Sequence, residues 1–431
     1  MSARNRELVG LVPAALLVTA GFAAIFIQRS AQVSNVSLTY GAMFLGLCVV
    51  AHFVVRLALP HADPYLLPLV AVLAGVGIVM VYRIDDTFAR GQVVSFLIGL
   101  GFFLGTLVFL RDYRVLERYR YLIALGSIGL LVLPRFSGAV NGAYLAIDVG
   151  PISFQPAEFA KIGIVVFLAS YLRDTRQVLV LGARRFLGVT IPPLKHFGPL
   201  LVVWGAAMLM LFVIRDLGSS LMFFGAFLSV LYIATNRLSF VLVGLAMFAL
   251  GAWVVGTHIP HVHGRIESWQ HPFDRRLYEA RGGSYQVAQS LFAQADGGLL
   301  GRGFGQALLT IPGSSANLLP APRTDLIYAV IVNELGLVGA CGLLAVYLLI
   351  VQRGFKIAML ARDSFSTLLA AGLTSVFALQ VFVIVGGVTK LIPLTGVTLP
   401  FVSYGGSSIV ANFVLVALLL LVSDRARRPA P

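Results

Sequence analysis

The sequence predicts an all-α fold, a polytopic bundle of membrane-spanning helices, and three observations carry that expectation. Hydrophobic residues make up 58% of the 431-residue chain and charged residues only 12%, a balance that a soluble core does not need, because much of its surface must be polar. The mean hydropathy is +0.91. Apolar segments near residues 9–27, 39–58, 65–82, 92–110, 119–134, 156–172, 198–214, 216–234, 238–256, 326–351, 366–388 and 403–423 approach the ~20 residues that a helix needs to cross a bilayer. There are about twelve of them, filled continuously with Leu, Val, Phe, Ala and Gly. That continuity fits helices rather than the strict alternation of a porin-like barrel.

The first segment, after "MSARNRE", is expected to be a retained span. Its ~19 apolar residues exceed the usual signal-peptide core, and "IFIQRSAQ" is a poor small-residue cleavage site. Lys and Arg in the connections set the orientation. With the N-terminus in the cytoplasm, 19 of the 32 basic residues fall on the cytoplasmic side and 6 in the short outside connections. Both termini are then cytoplasmic. The net charge of +14 needs no nucleic acid, since "RDYRVLERYR" (111–120) and "DRARRP" (424–429) suit anionic lipid. Cys48 and Cys341 both fall in expected spans and read as small buried hydrophobes, with no disulfide or metal framework.

Between the spans, only the outside loop near 257–325 is large enough for chemistry. A second outside loop, 135–155, carries "SGAVNGAYLAIDVGPISFQP", whose Gly, Pro and Asn mark turns. A third stretch, "GGVTKLIPLTGVTLPFVSYGGSS" (386–408), mixes turn formers with apolar pairs, as a membrane-buried irregular segment would.

Ionisable groups inside a bilayer each cost about 2.5–3.5 kcal/mol on insertion scales unless paired or hydrated, so they mark candidates. Glu158 and Lys161 are three apart and share a helix face, either as an internal ion pair or as a polar wall for a charged substrate. Arg215 and Asp216 lie between two spans, either as interface charges or in a polar cavity. Glu334 lies inside its span beside Asn333, where helix-packing glue and function are both open. The large loop gathers Glu267, Asp274, Glu279, Asp296 and Asp325 with Arg265, Arg275, Arg276, Arg281, Arg302 and Arg323. This is either a solvated face or a grip for an anion such as pyrophosphate. "DGGLLGRGFGQ" (296–306) lacks a preceding strand or a following GK[ST], so its glycines serve turns rather than nucleotide binding. His258, His261, His263 and His271 lack a Cys or HExxH frame and read as structural or solvated rather than as metal ligands.

"GPISFQPAEFAKIGIVVFLASYL", "IRDLGSSL", "SYQVAQSLFAQADGGLLGRGFGQ" followed by "LLPAPRTDLIYAVIVNELGLVG", and "LIPLTGVTLPFVSYGGSSIVANF" resemble the signature regions of the SEDS family (shape, elongation, division and sporulation), whose members include FtsW and RodA. The resemblance covers about residues 65–423. It implies a ten-helix core, preceded by a tip and two added spans within 1–64, as in some actinobacterial relatives, and followed by a basic tail, 424–431.

The resemblance further implies a peptidoglycan glycosyltransferase, acting in elongation or division. Such an enzyme polymerises lipid II on the outer face of the cytoplasmic membrane, inverts the donor's anomeric carbon and releases undecaprenyl pyrophosphate. A class B penicillin-binding protein is the implied partner, besides membrane lipids. The family's essential Asp lies shortly before a "GYQ" element, here "GSYQ" at 283–286, which makes Asp274 of "HPFD" the expected general base. The spacing departs from the usual "NPxxDPxxxGYQ", so Glu279 stays a competitor. Tyr285, Gln286, Ser290, Thr324, Asp325, Ser403 and Tyr404, with Glu158, Lys161, Arg215, Asp216, Glu334 and Lys390, are the expected substrate contacts. Charge on the leaving pyrophosphate needs Arg, Lys or a divalent cation, Mg²⁺ or Mn²⁺; no motif identifies ligands for that cation, and no organic cofactor is expected. A lipid II flippase using the intramembrane charges is the alternative reading.

Overall fold

The computed structural model describes residues 2–30, 35–137, 144, 146–149, 152–181, 184–186, 189–191, 198, 201–202, 205, 214, 216–258, 260–280, 283–307, 309 and 318–429. In chain order the helices are α1 (Ala3–Ser30), α2 (Asn35–Ala58), α3 (Leu66–Ile84), α4 (Asp86–Phe109), α5 (Val115–Arg118), α6 (Arg120–Val132), α7 (Pro156–Leu181), α8 (Leu217–Thr235), α9 (Leu238–His258), α10 (Pro260–Gln270), α11 (Arg275–Glu279), α12 (Tyr285–Gly297), α13 (Ile327–Leu360), α14 (Ser364–Val388) and α15 (Gly406–Arg427). Two three-residue antiparallel pairs join them: β1 (Ile147–Val149) with β2 (Ile152–Phe154), and β3 (Arg184–Phe186) with β4 (Val189–Ile191).

Eight of the described helices are long and apolar enough to cross a membrane, and the chain is a multi-pass, all-α membrane protein. The expected span at 198–214 lies mostly outside the described residues; each of the others coincides with a described helix. Three local features add to or change the expectations. The 135–155 turn region contains the β1–β2 hairpin. Much of the 257–325 loop is helical, in α10, α11 and α12. Cys341 is exposed rather than buried, because an apolar helix in lipid can turn a small thiol outward at no cost, whereas Cys48 is buried.

The chain divides into two compact units. The first comprises Met1–Arg111, Glu267–Arg353 and Gln380–Pro431. Here α15, buried along most of its length, packs chiefly on α4, while α1 packs on α2 and α3. Lipid offers no hydrophobic drive between helices, so close van der Waals packing must hold them. Phe413 of α15 supplies it, with Phe401, Phe96 and Phe103 ring centres 5.1, 5.5 and 6.0 Å away.

The turn between α2 and α3 collects both chain ends. Arg4 donates to the Ala62 carbonyl, Arg427 reaches buried Asp63 at 2.5 Å, and buried Asp424 accepts the His61 N–H at 2.9 Å. Carboxylates this buried persist only when cations and N–H groups face them.

Helix α13 is broken at Gly336, whose φ of 68° and ψ of −175° suit glycine almost alone. A methyl group there would stand 2.3 Å from both the Gly301 nitrogen and the Leu299 oxygen. Gly336→Ala is therefore expected to cost upward of about 3 kcal/mol. The check is thermal unfolding and monodispersity of the purified protein in detergent, where a wild-type profile would contradict the strain.

The second unit comprises Asp112–Ile266 and Gly354–Leu379, with α6 on α7, α7 on α8 and α8 on α9. Asp216 caps α8 by accepting the Ser219 N–H at 3.0 Å, and Asn236, at φ 51°, closes the other end. Outside the spans, Asp363 pairs with Arg114 at 2.6 Å and accepts the Ser366 N–H at 3.0 Å and hydroxyl at 2.8 Å. Burial opposes charge on Asp363, but the Ser366 N–H, Arg114 and the Ser366 hydroxyl outweigh it and hold its pKa below the ordinary carboxylate value.

A depressed folded-state pKa gives stability that is present above the unfolded value, about 3.9, and is lost as pH falls through the folded one. The thermal midpoint should thus be steady from pH 7 to about 5 and fall below about 4, less steeply in Asp363→Asn. Identical pH profiles for the two proteins would remove Asp363 from that account.

Candidate functional site

The elements of the 257–325 loop that belong to the first unit are built around α12. Its Ser290 hydroxyl and Gln294 amide both donate to the Val388 carbonyl, at 3.0 and 2.9 Å, and Asn333 of α13 donates to the Ala293 carbonyl at 2.7 Å. Tyr285, at the start of α12, donates to the Leu318 carbonyl at 3.1 Å. Trp269 of α10 donates to the Lys390 carbonyl at 3.0 Å, and Lys390 itself sits at φ 62°. Polar side chains thus satisfy backbone carbonyls where α14 ends, as irregular backbone near a membrane requires.

Asp274 lies on this scaffold. It is the N-cap of α11, and its Oδ1 accepts the backbone N–H groups of Arg276 at 2.8 Å and Leu277 at 3.4 Å. The cap fixes the carboxylate's direction, and Asp274 is exposed. Oδ2 has no partner among the described residues. Phe273, next in the chain, stacks on Phe292 of α12 at 5.5 Å. Tyr278 meets Tyr285 edge-on at 5.1 Å and accepts a hydrogen bond from Gln289 at 2.7 Å. These contacts tie the short helix carrying Asp274 to the anchored α12. Glu279, the competitor, is exposed and pairs with Arg275 at 3.0 Å.

Ser403, Tyr404, Thr324 and Arg323 also converge in this unit. The Ser403 hydroxyl donates to the Thr324 carbonyl at 2.7 Å, and the Tyr404 N–H donates to the Arg323 carbonyl at 2.8 Å. The Arg323 guanidinium covers the Phe88 ring at 3.6 Å and lies 3.6 Å from Asp85, while Phe88 meets Tyr404 edge-on. Asp325 is half-buried beside them and Gln286 is exposed on α12. Arg302 pairs with Asp296 at 2.9 Å.

Glu334 is buried against Arg83 at 2.7 Å and accepts the Gly305 N–H at 2.9 Å. These contacts join α13 to α3 and to the glycine-rich run after α12. Nothing local in the sequence points to Arg83 as the partner of Glu334, because 251 positions separate the two. The one available signal was a basic residue ending a span on the side where few basic residues fall.

Glu158, Lys161 and Asp216 belong to the second unit. Lys161 Nζ lies 2.5 Å from Glu158 Oε2, and both side chains are buried, so the three-residue spacing does pair them. Arg215 and Arg281 lie outside the described residues, as do the side chains of His258 and His261. Among the described residues no three His, Cys, Asp or Glu groups converge as a metal cage would. The described residues do not by themselves fit a divalent ion.

The family profile described as "Cell cycle protein", which joins FtsW, RodA and SpoVE, matches residues 18–428. The chain belongs to this FtsW/RodA/SpoVE family. Relatives within the family include a protein named peptidoglycan glycosyltransferase RodA from Mycobacterium tuberculosis, 39% identical over 99% of this chain and 92% of its own. Another is stage V sporulation protein E from Bacillus subtilis, 31% identical over 85% of this chain and 98% of its own. Among solved structures, the rod shape determining protein RodA of Thermus thermophilus superposes with a TM-score of 0.61 at 26% identity, covering 86% of this chain and 98% of that one. A chain from a peptidoglycan synthase complex that coordinates polymerization and crosslinking superposes at 0.67 with 26% identity, over 85% of this chain and 98% of that one. Family membership and the helical membrane fold therefore agree with the resemblance read from the four separated motifs.

Proposed function

We propose that this chain is a peptidoglycan glycosyltransferase that polymerises lipid II, with Asp274 as general base, on the outer face of the cytoplasmic membrane. The observation that carries this reading is the placement of Asp274: a carboxylate aimed by a helix cap, held on an anchored loop, with one oxygen open among the described residues. Family membership supports the activity, and the apolar helices supply surfaces for prenyl tails.

In the proposed step, the acceptor sugar hydroxyl attacks the donor's anomeric carbon. A new C–O bond forms as the bond to pyrophosphate breaks, and the hydroxyl proton passes to Asp274 Oδ2. A carboxylate so placed assists the transfer by about 10²–10⁴-fold. The α-linked donor becomes a β-linked product by one inversion, so one base suffices. Undecaprenyl pyrophosphate leaves, and basic side chains such as Arg323 and Lys390 are the proposed neutralisers of its charge. A divalent cation assisting that departure would need ligands beyond the described set. Glu158, Lys161, Asp216 and Glu334 are assigned to holding helices and loops rather than to touching sugar.

A class B penicillin-binding protein is the proposed partner, supported by the relative solved within a polymerising and crosslinking complex. The test is purified protein given lipid II alone, with products resolved by length on a gel. Glycan ladders support the reading. Lipid II that crosses vesicles without polymerising would favour a flippase. Polymer that appears only from an added polymerase would leave this chain a scaffold.

A further inference from the structure

One contact links the first helix of the chain to the glycine-rich run after α12. Gln28, in the last turns of α1, donates from Nε2 to the Gly305 carbonyl at 2.7 Å. The same carbonyl accepts from Arg83 of α3 at 2.7 Å, and Arg83 also reaches the Ala307 carbonyl at 3.1 Å and Glu334 at 2.7 Å. The N–H of Gly305 goes to the other Glu334 oxygen at 2.9 Å. The backbone of one residue, Gly305, is thus gripped at both its N–H and its carbonyl by side chains from α1, α3 and α13.

The rest of the run is fixed to the broken part of α13. Arg302 and Gly303 donate to the Asn333 and Glu334 carbonyls at 2.9 and 3.1 Å, and Leu337 and Val338 donate back to Gly298 and Leu299 at 3.0 and 3.1 Å. The Gly336 break in α13 coincides with these exchanges, which pair the polar groups that an unwound helix exposes. Gly305 is buried, and a methyl group on it would fall 1.7 Å from Gln28 Oε1, so the run and the side chain are in close contact. Gly297 ends α12 and the run begins at Gly298, and α12 meets the segment carrying Asp274 through the Phe273–Phe292 and Tyr278–Tyr285 contacts.

We infer that α1 is a positioning element for the reaction at this loop and that Gln28 is its positioning residue, acting through Gly305 on α12 and Asp274. The inference rests on the proposed role of that loop in polymerisation. Gln28 touches no substrate. Its loss should lower kcat, which depends on the carboxylate's placement, and leave KM for lipid II within about twofold.

The experiment compares full-length wild type, Gln28→Met, which keeps length but loses the donor, and Gln28→Lys, which restores one. Two readouts are taken from each: amide hydrogen exchange of the peptide spanning 301–307, and kcat and KM for lipid II polymerisation. In Gln28→Met, exchange across 302–305 is expected to rise about fivefold, with α3 and α15 peptides unchanged and kcat down about three- to tenfold; Gln28→Lys should recover both. Unchanged exchange in Gln28→Met overturns the contact's role. Faster exchange throughout α1 and α3 overturns it too, as general loosening. Faster loop exchange with wild-type kcat overturns positioning while leaving Asp274 in place. If wild type makes no polymer, the functional reading fails, and with it the claim about kcat, whereas the exchange arm still decides whether Gln28 sets the loop.

Discussion

Asp274→Asn is expected to lower lipid II polymerisation by at least about 100-fold, and by up to about 10⁴-fold, with little loss of stability. Asparagine keeps the side-chain oxygen that caps α11, so the helix and its contacts with α12 should survive. What disappears is the basic oxygen: an amide cannot take the acceptor's proton, and that transfer is worth about 10²–10⁴-fold. The check is glycan length and rate for purified wild type and variant, with thermal midpoints measured alongside. Glu279→Gln is the companion variant. Glu279 is exposed and already faces Arg275, so its loss should change the rate by less than about threefold. Full-length polymer from Asp274→Asn, or loss of polymer in Glu279→Gln alone, would move the base to Glu279 or out of the loop.

Lys161→Ala should show a large stability loss. Its ammonium lies 2.5 Å from Glu158, and both side chains are buried. Truncation breaks a buried ion pair, which typically costs about 3–5 kcal/mol. The paired change Glu158→Gln with Lys161→Met removes both charges and should recover most of that loss. Thermal unfolding in detergent separates the two effects. A Lys161→Ala protein as stable as wild type would show that the pair does not hold the bundle. A paired variant that is stable yet inactive would return Glu158 and Lys161 to the substrate path expected from the sequence.

The relation between sequence and structure differs by residue. Glu158 with Lys161 was legible because both lie on one helical turn, where spacing alone fixes proximity. Asp274 was legible by its place before "GSYQ", but its capping of α11 was not, since the N-cap only becomes recognisable once the five-residue helix after it is seen. The partners of Glu334 were hidden for the opposite reason. Arg83 and Gly305 reach it from distant parts of the chain, and nothing local in "VNELG" encodes either. The exposure of Cys341 is not legible, because apolar periodicity is weak when a helix is hydrophobic all round, so lipid-facing and core-facing positions look alike.

By itself the sequence determined the class of molecule: continuous apolar segments of bilayer length leave the helix as their only self-satisfied form, and four ordered motifs placed the chain in its family. Which side chains face one another was decided only by the tertiary structure. The grip of Gln28, Arg83 and Glu334 on the Gly305 backbone and the Ser290 and Gln294 anchors on Val388 join residues far apart in the chain. Their energies come from proximity, and proximity between distant segments exists only after the helices have packed.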